Sequence, residues 1–191
     1  MRKPFLVLAA AGVAALAFAA SASAHARMSP SVSLANELQL YSLAIPTEKA
    51  NLFTTKIVLT LPKNFSIDSF VPDPGWKRVE QSTGSGDSAV ITQVTWTGGH
   101  TPTEEDSLFQ FLAQPAKAGT YTFHVQQTYS DGSIVDWSGP ETAAAPAPTI
   151  KVVSSIGGST STLTIVALVL GALGLLVGGL ALFSRGGRSL T

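Results

Sequence analysis

The sequence predicts an all-β domain followed by one C-terminal transmembrane helix. The domain is expected to be an antiparallel β-sandwich of immunoglobulin-like or cupredoxin-like architecture. Three observations lead there. Between positions 37 and 153, apolar and polar residues alternate in short runs, the period of a half-buried strand. Gly, Pro, Asn and Asp cluster between the runs, where turns need them. Residues 163–183 form an uncharged run of mostly Leu, Val, Ala and Gly, unlike anything in the domain before it.

At the N-terminus, Arg2 and Lys3 precede an apolar stretch at 5–20, and Ala22-Ser23-Ala24 forms an A-x-A cleavage site. These are the three parts of a secretory signal peptide, here residues 1–24. The Ala-rich core is only modestly hydrophobic, which favours cleavage over retention as an anchor. Cleavage after Ala24 makes His25 the first residue of the mature chain.

The strands follow in order. Residues 37–45 (ELQLYSLAI) alternate and end at Pro46. In TTKIVLTLP, Ile57, Leu59 and Leu61 point one way and Lys56, Val58 and Thr60 the other. AVITQVTW places Val90, Val94 and Trp96 on one face, and SLFQFLAQ offers Phe109 and Phe111. The clearest run is GTYTFHVQQTY, with Tyr121, Phe123, Val125, Gln127 and Tyr129 sharing a face opposite Thr122, His124, Gln126 and Thr128. SIVDW and TIKVV are two short strands more. Turns are expected at Pro62-Lys63-Asn64, Pro72-Asp73-Pro74-Gly75, Gly84-Ser85-Gly86-Asp87, Gly98-Gly99 and Asp131-Gly132. No amphipathic helix stands out before the anchor. Seven or so strands at this spacing suggest a sandwich.

The domain is expected over 25–154, with a Gly/Ser-rich flexible linker at 155–162. At about 1.5 Å per residue, the apolar run 163–183 can cross a hydrocarbon core of roughly 30 Å. Arg185 and Arg188 follow at once, so the tail 184–191 is expected to be cytoplasmic. The expectation is a single-pass protein of the cell membrane with its N-terminal domain extracytoplasmic, at the cell surface or in the periplasm.

Charge and cysteine count exclude several classes. All twelve acidic residues lie within 25–154, against eight of the twelve basic ones, which leaves the domain at −4. That is no footprint for nucleic acid. With no cysteine there is neither a disulfide nor a thiolate metal site.

A terminal histidine has a chelating pair that no internal histidine has. Its α-amino nitrogen and its imidazole Nδ1 can close a six-membered ring on one metal ion. Nitrogen donors in a tetragonal arrangement suit Cu(II), which heads the divalent affinity order. An α-amino pKa near 8 makes the necessary deprotonation easy at neutral pH. The alternative is a histidine left by chance on a frayed end. The segments AH at the cleavage point, IPTEKANLFTTKIVLTLPKNF, VPDPGWK, VTWTGG, FQFLAQP and YSDGSIVDWSGP stand in the order seen in the YcnI-like copper-binding family. The chain resembles that family over nearly the whole exported domain. The resemblance implies a bacterial secreted or anchored β-sandwich that handles copper, with a copper-transport membrane protein as partner. It also implies a single-histidine brace. His25 would bind one Cu(II) per domain through amine and imidazole, Glu48 of IPTEK would add a carboxylate oxygen, and Trp137 of DGSIVDW would pack against the metal. An indole nitrogen is a donor only, so Trp137 is expected to shield the metal rather than ligate it.

Each residue has a plainer reading beside this one: Glu48 as a solvated loop carboxylate, Trp137 as ordinary core. Trp76 and Trp96 read as core or turn packing. His124 lies on the polar face of its strand, and His100, in GGHTP, is a further ligand candidate that the resemblance does not mark. The function expected is that of a Cu(II) chaperone or buffer in copper homeostasis, not an enzyme. A copper mono-oxygenase would need a second brace histidine, which only His100 or His124 could supply. A metal-free surface module is the third reading. No Ser/His/Asp or paired-carboxylate hydrolase pattern stands out. After processing, Met28 is the only methionine, so the methionine-rich pattern of Cu(I) carriers is missing.

Overall fold

Twelve strands form in the residues that the computed structural model describes, 25–157 and 162–185. They are β1 (Arg27–Ser29), β2 (Val32–Leu34), β3 (Gln39–Pro46), β4 (Phe53–Thr60), β5 (Phe65–Phe70), β6 (Lys77–Thr83), β7 (Val90–Pro102), β8 (Asp106–Pro115), β9 (Gly119–Thr122), β10 (His124–Tyr129), β11 (Ile134–Trp137) and β12 (Thr149–Val153). A four-stranded sheet has the order β1-β3-β8-β5 and a five-stranded sheet the order β11-β10-β4-β7-β6. A small third sheet, β2-β12-β9, contains a parallel pair, β2 with β12. All other ladders are antiparallel.

The alternation in the sequence becomes the core. Tyr41, Leu43 and Ile45 of β3 and Phe109, Phe111 and Ala113 of β8 are buried against Ile57 and Leu59 of β4, Val94 and Trp96 of β7, and Val125 of β10. Trp96 of β7 stacks on Phe109 of β8 across the two large sheets, with centroids 4.2 Å apart, and Phe65 of β5 meets Phe123, between β9 and β10, edge-on at 5.0 Å. These are favourable offset and edge geometries. Burial of such large rings on two inner faces is what holds a sandwich without a disulfide.

Four strands went beyond what the pattern predicts. β1 and β2 are three residues each, too short to show a period. β6 is exposed along its whole length at the edge of its sheet, so it has no apolar face to reveal it. β5 does alternate, with Phe65 and Ile67 inward. The break expected at Gly98-Gly99 is instead an irregularity inside the long strand β7. Its ladder to β4 shifts register there, and Gly98 has φ +83°. Gly99 lies beneath the Trp76 ring, where an added Cβ would stand 2.1 Å from a ring carbon. His100 therefore sits on a strand rather than in a loop. Val90, expected to share the inward face of Val94 and Trp96, is exposed, because β6 and β7 slip register between Gln81 and Ser82. The run 119–129 is divided at Phe123, whose N–H donates to the Pro148 carbonyl at 2.9 Å, one place beyond the β9–β12 ladder. From His124 onward the chain pairs with β4, and so passes from the small sheet to the five-stranded one.

The described residues up to Ser155 form one compact unit and those from Ile156 a second. The second contains α1 (Thr162–Arg185), with an apolar window at Thr162–Ala181 of mean hydropathy 2.5. Its length and composition suffice to span a membrane. The predicted signal peptide, 1–24, and most of the predicted tail lie outside the described residues.

Candidate metal centre

The register of β1 on β3 sets the position of His25. Arg27 lies opposite Ala44, and Ser29 opposite Ser42. Continued two places outward, this register puts His25 level with Pro46, just ahead of Glu48. The His25 ring is half-buried and lies against Trp137, with centroids 6.5 Å apart and planes at 60°. It also lines an open cleft of about 650 Å³ that includes Thr120, Thr122, Gly139 and Glu141.

Trp137 ends β11 and is 1% exposed, while Asp136 beside it points outward. Its indole N–H is spoken for: Nε1 donates to Gln127 Oε1 at 3.0 Å. Gln127 is fully buried on β10, and its Nε2 donates to the Pro46 carbonyl and to Thr54 Oγ1, both at 2.8 Å. An acceptor facing the indole and two donors facing oxygen fix the amide in one orientation. The chain goes on from Thr54 Oγ1 to Thr47 Oγ1 at 2.7 Å, and from there to the Thr101 carbonyl at 3.2 Å. Thr47 has one hydroxyl proton and gives it to Thr101, so the proton between the threonines comes from Thr54. Every donor in this buried line then has its acceptor, as a low-dielectric interior demands.

Glu48 follows Thr47 and is exposed. Its segment is held from several sides. The Glu48 N–H donates to Tyr129 Oη at 3.4 Å, and the Thr47 N–H donates to the Glu105 carbonyl at 3.0 Å. Lys49 Nζ donates to Ser133 Oγ at 2.7 Å and lies 4.8 Å from the centre of the Tyr129 ring. Ser133 in turn donates to Asp131 Oδ1 from both Oγ, 2.6 Å, and its backbone N–H, 2.9 Å. Burial pushes the Tyr129 hydroxyl above its ordinary value; the Glu48 charge adds to this, and backbone N–H groups oppose it. Tyr129 is thus a neutral prop at neutral pH. The two Ser133 bonds hold the Asp131 carboxyl below the usual range.

The His25 and Trp137 rings are therefore neighbours, and Glu48 stands two residues past Pro46, the residue that the continued β1–β3 register brings level with His25. The other two histidines stand elsewhere. His124 faces outward on β10, on the opposite side of the sheet from its neighbour Val125, which pairs with Trp137. His100 is exposed and its ring packs on Phe53, with centroids 3.8 Å apart. Trp76 and Trp96 both pack on Phe109, and Trp96 Nε1 donates to Asp73 Oδ2 at 2.9 Å; Trp96 is buried core, and Trp76 is half-buried against it. Among the described residues, no group of three or more His, Cys, Asp or Glu side chains could hold a metal ion. A metal at His25 would thus need donors beyond side chains, and a free terminal amine is one. Sequence reasoning did not single out Gln127. Its signal is a polar residue at an inward position of an otherwise aromatic and aliphatic strand face.

Residues 25–152 match the family described as a domain of unknown function, DUF1775. The chain is 38% identical over 143 residues to the copper-binding protein CutI of Bacillus subtilis (strain 168), covering 73% of this chain and 68% of that protein. A solved structure of an uncharacterized protein from Nocardia farcinica, with an immunoglobulin-like fold, has a TM-score of 0.57 and 27% identity, covering 68% of this chain and 98% of that one. The domain is accordingly immunoglobulin-like in fold, and the chain belongs to the DUF1775 family, which is the YcnI-like family its sequence resembles.

Proposed function

We propose that this protein binds one Cu(II) ion per domain outside the cytoplasm and serves as a membrane-anchored copper chaperone or buffer, with no enzymatic turnover. The observation that carries the proposal is the His25 imidazole held against the buried Trp137 ring at the head of β1. Removal of residues 1–24 would place a free amine on that same residue. Amine and Nδ1 chelate the ion, the Glu48 carboxylate supplies an anionic oxygen, and Trp137 forms an apolar wall that limits access of water. Its N–H is occupied by Gln127, so it contributes its ring and not a ligand atom. The relative in Bacillus subtilis is named a copper-binding protein, which supports the choice of metal. A partner that takes up or delivers the ion would be a copper-transport membrane protein in the same bilayer. A mono-oxygenase is disfavoured by the positions of His100 and His124, both exposed and neither in ring contact with Trp137 as His25 is.

The test is a copper titration of the processed chain beside one that carries a single extra residue before His25. The extension converts the chelating amine into an amide. Stoichiometric one-to-one binding is expected for the processed chain, with affinity falling at least about 10-fold in the extended chain and less steeply in Glu48→Gln. Equal affinity for the extended and processed chains would overturn the role of the amine.

A further inference from the structure

We infer that Gln127 is the positioning residue of the His25 site. It sets the indole of Trp137, and through the indole it sets the imidazole that the ring packs against. This rests on the copper reading for what His25 and Trp137 do, but the geometry is independent of any metal. Gln127 is fully buried and spends its whole amide on three groups from three elements. Its oxygen takes the N–H of Trp137 on β11, and its nitrogen holds the Pro46 carbonyl at the end of β3 and the Thr54 hydroxyl on β4. Pro46 comes level with His25 when the β1–β3 register is continued two places beyond Arg27, and the line continues through Thr54 to Thr47, next to Glu48. One side chain thus ties together the supports of all three residues assigned to the metal. A glutamine here does what an apolar residue of the same size cannot. It sets the direction of an indole whose nonpolar contacts alone would tolerate a flip about χ2, since an indole N–H pointed elsewhere in this core would lack an acceptor.

The test compares Gln127→Leu with the native processed chain and with Val94→Ala, a core truncation on β7. The first readout is metal-free: the proton resonances of the His25 ring, which the ring current of Trp137 displaces. Gln127→Leu is expected to move them toward their positions in Trp137→Phe, while Val94→Ala lowers the thermal midpoint and leaves them in place. The second is Cu(II) itself. Gln127→Leu is expected to lose about 10–100-fold in affinity and to show an altered paramagnetic resonance spectrum, as loss of a group that orients a metal-site residue does. Native His25 shifts in folded Gln127→Leu, or equal displacement in Val94→Ala, would overturn the inference. Should Gln127→Leu not fold, Thr54→Val decides. It removes one anchor of the amide and is expected to give the same displacement at smaller size, and native shifts there overturn the inference equally. If the native chain takes up no copper while the metal-free shifts behave as expected, the copper reading falls and the positioning role stands. If copper binds and Gln127→Leu changes neither readout, the reverse holds.

Discussion

Trp137 has two separable parts, a ring that faces His25 and an N–H that faces Gln127. The ring contact, with centroids 6.5 Å apart, places the indole close enough for a Cu(II) ion on His25 to quench its emission. Saturation with copper is therefore expected to remove part of the tryptophan fluorescence of the native chain and much less in Trp137→Phe, which is expected to keep its copper through the proposed His25 and Glu48 donors. Trp76 and Trp96 remain as an internal background in both proteins. The substitution also deprives Gln127 Oε1 of its donor. A buried acceptor without a partner costs about 1–3 kcal/mol, so the variant is expected to fold with a lower midpoint. Undiminished quenching in Trp137→Phe would return Trp137 to plain core packing. The alternation of the strand does not reveal the ring contact; only the family resemblance implies that Trp137 and His25 come together. In the structure Trp137 is buried and stands beside His25, and it is β1, a strand too short to show a period, that leads His25 there.

At the level of elements, what could be read depended on whether a strand has an inward face. β3, β4, β8 and β10 alternate because one face is buried, and all four follow the sequence pattern closely. β6 has no such face, and β7 hides its continuation behind two glycines that look like a turn. The turn at Pro72-Asp73-Pro74-Gly75 was legible by residue type, but its second task was not: Asp73 caps the buried Trp96 indole of β7. Burial raises the Asp73 carboxyl above its usual value of about 3.9, while the Trp96 N–H and Arg78 pull it down. The sign follows from proton binding. With a raised folded pKa, the native state holds the proton more tightly than the unfolded chain, so this group's contribution to stability falls as pH rises from the unfolded to the folded value. At neutral pH the ionised form carries that net penalty. Asp73→Asn keeps an acceptor for Trp96 and removes the charge. Its thermal midpoint is expected to gain on the native protein at pH 7 relative to pH 3, where both side chains are neutral. A gain at pH 3 that vanishes at pH 7 would contradict the assignment.

On the scale of the whole molecule, a domain with excess negative charge is followed by a separate apolar helix with Arg185 at its end. The twelve strands and their aromatic core lie within the unit that ends at Ser155, so the domain is expected to fold without the helix. Leu163 and Leu175 of the helix are each 80% exposed. In water such a surface drives aggregation, and in lipid it is satisfied, since the 20-residue window Thr162–Ala181 spans about 30 Å. Two consequences can be measured together. A processed chain that stops at Ser155 is expected to stay in solution without detergent, to keep the thermal midpoint of the full chain, and to bind copper with the same stoichiometry. The full chain is expected to fractionate with membranes, with its domain open to added protease and Arg185 and Arg188 protected, as the positive-inside bias requires. Loss of the folded state on truncation at Ser155 would show that the helix is part of the domain's support. A protected domain with an accessible tail would reverse the orientation, and with it the compartment proposed for metal binding at His25.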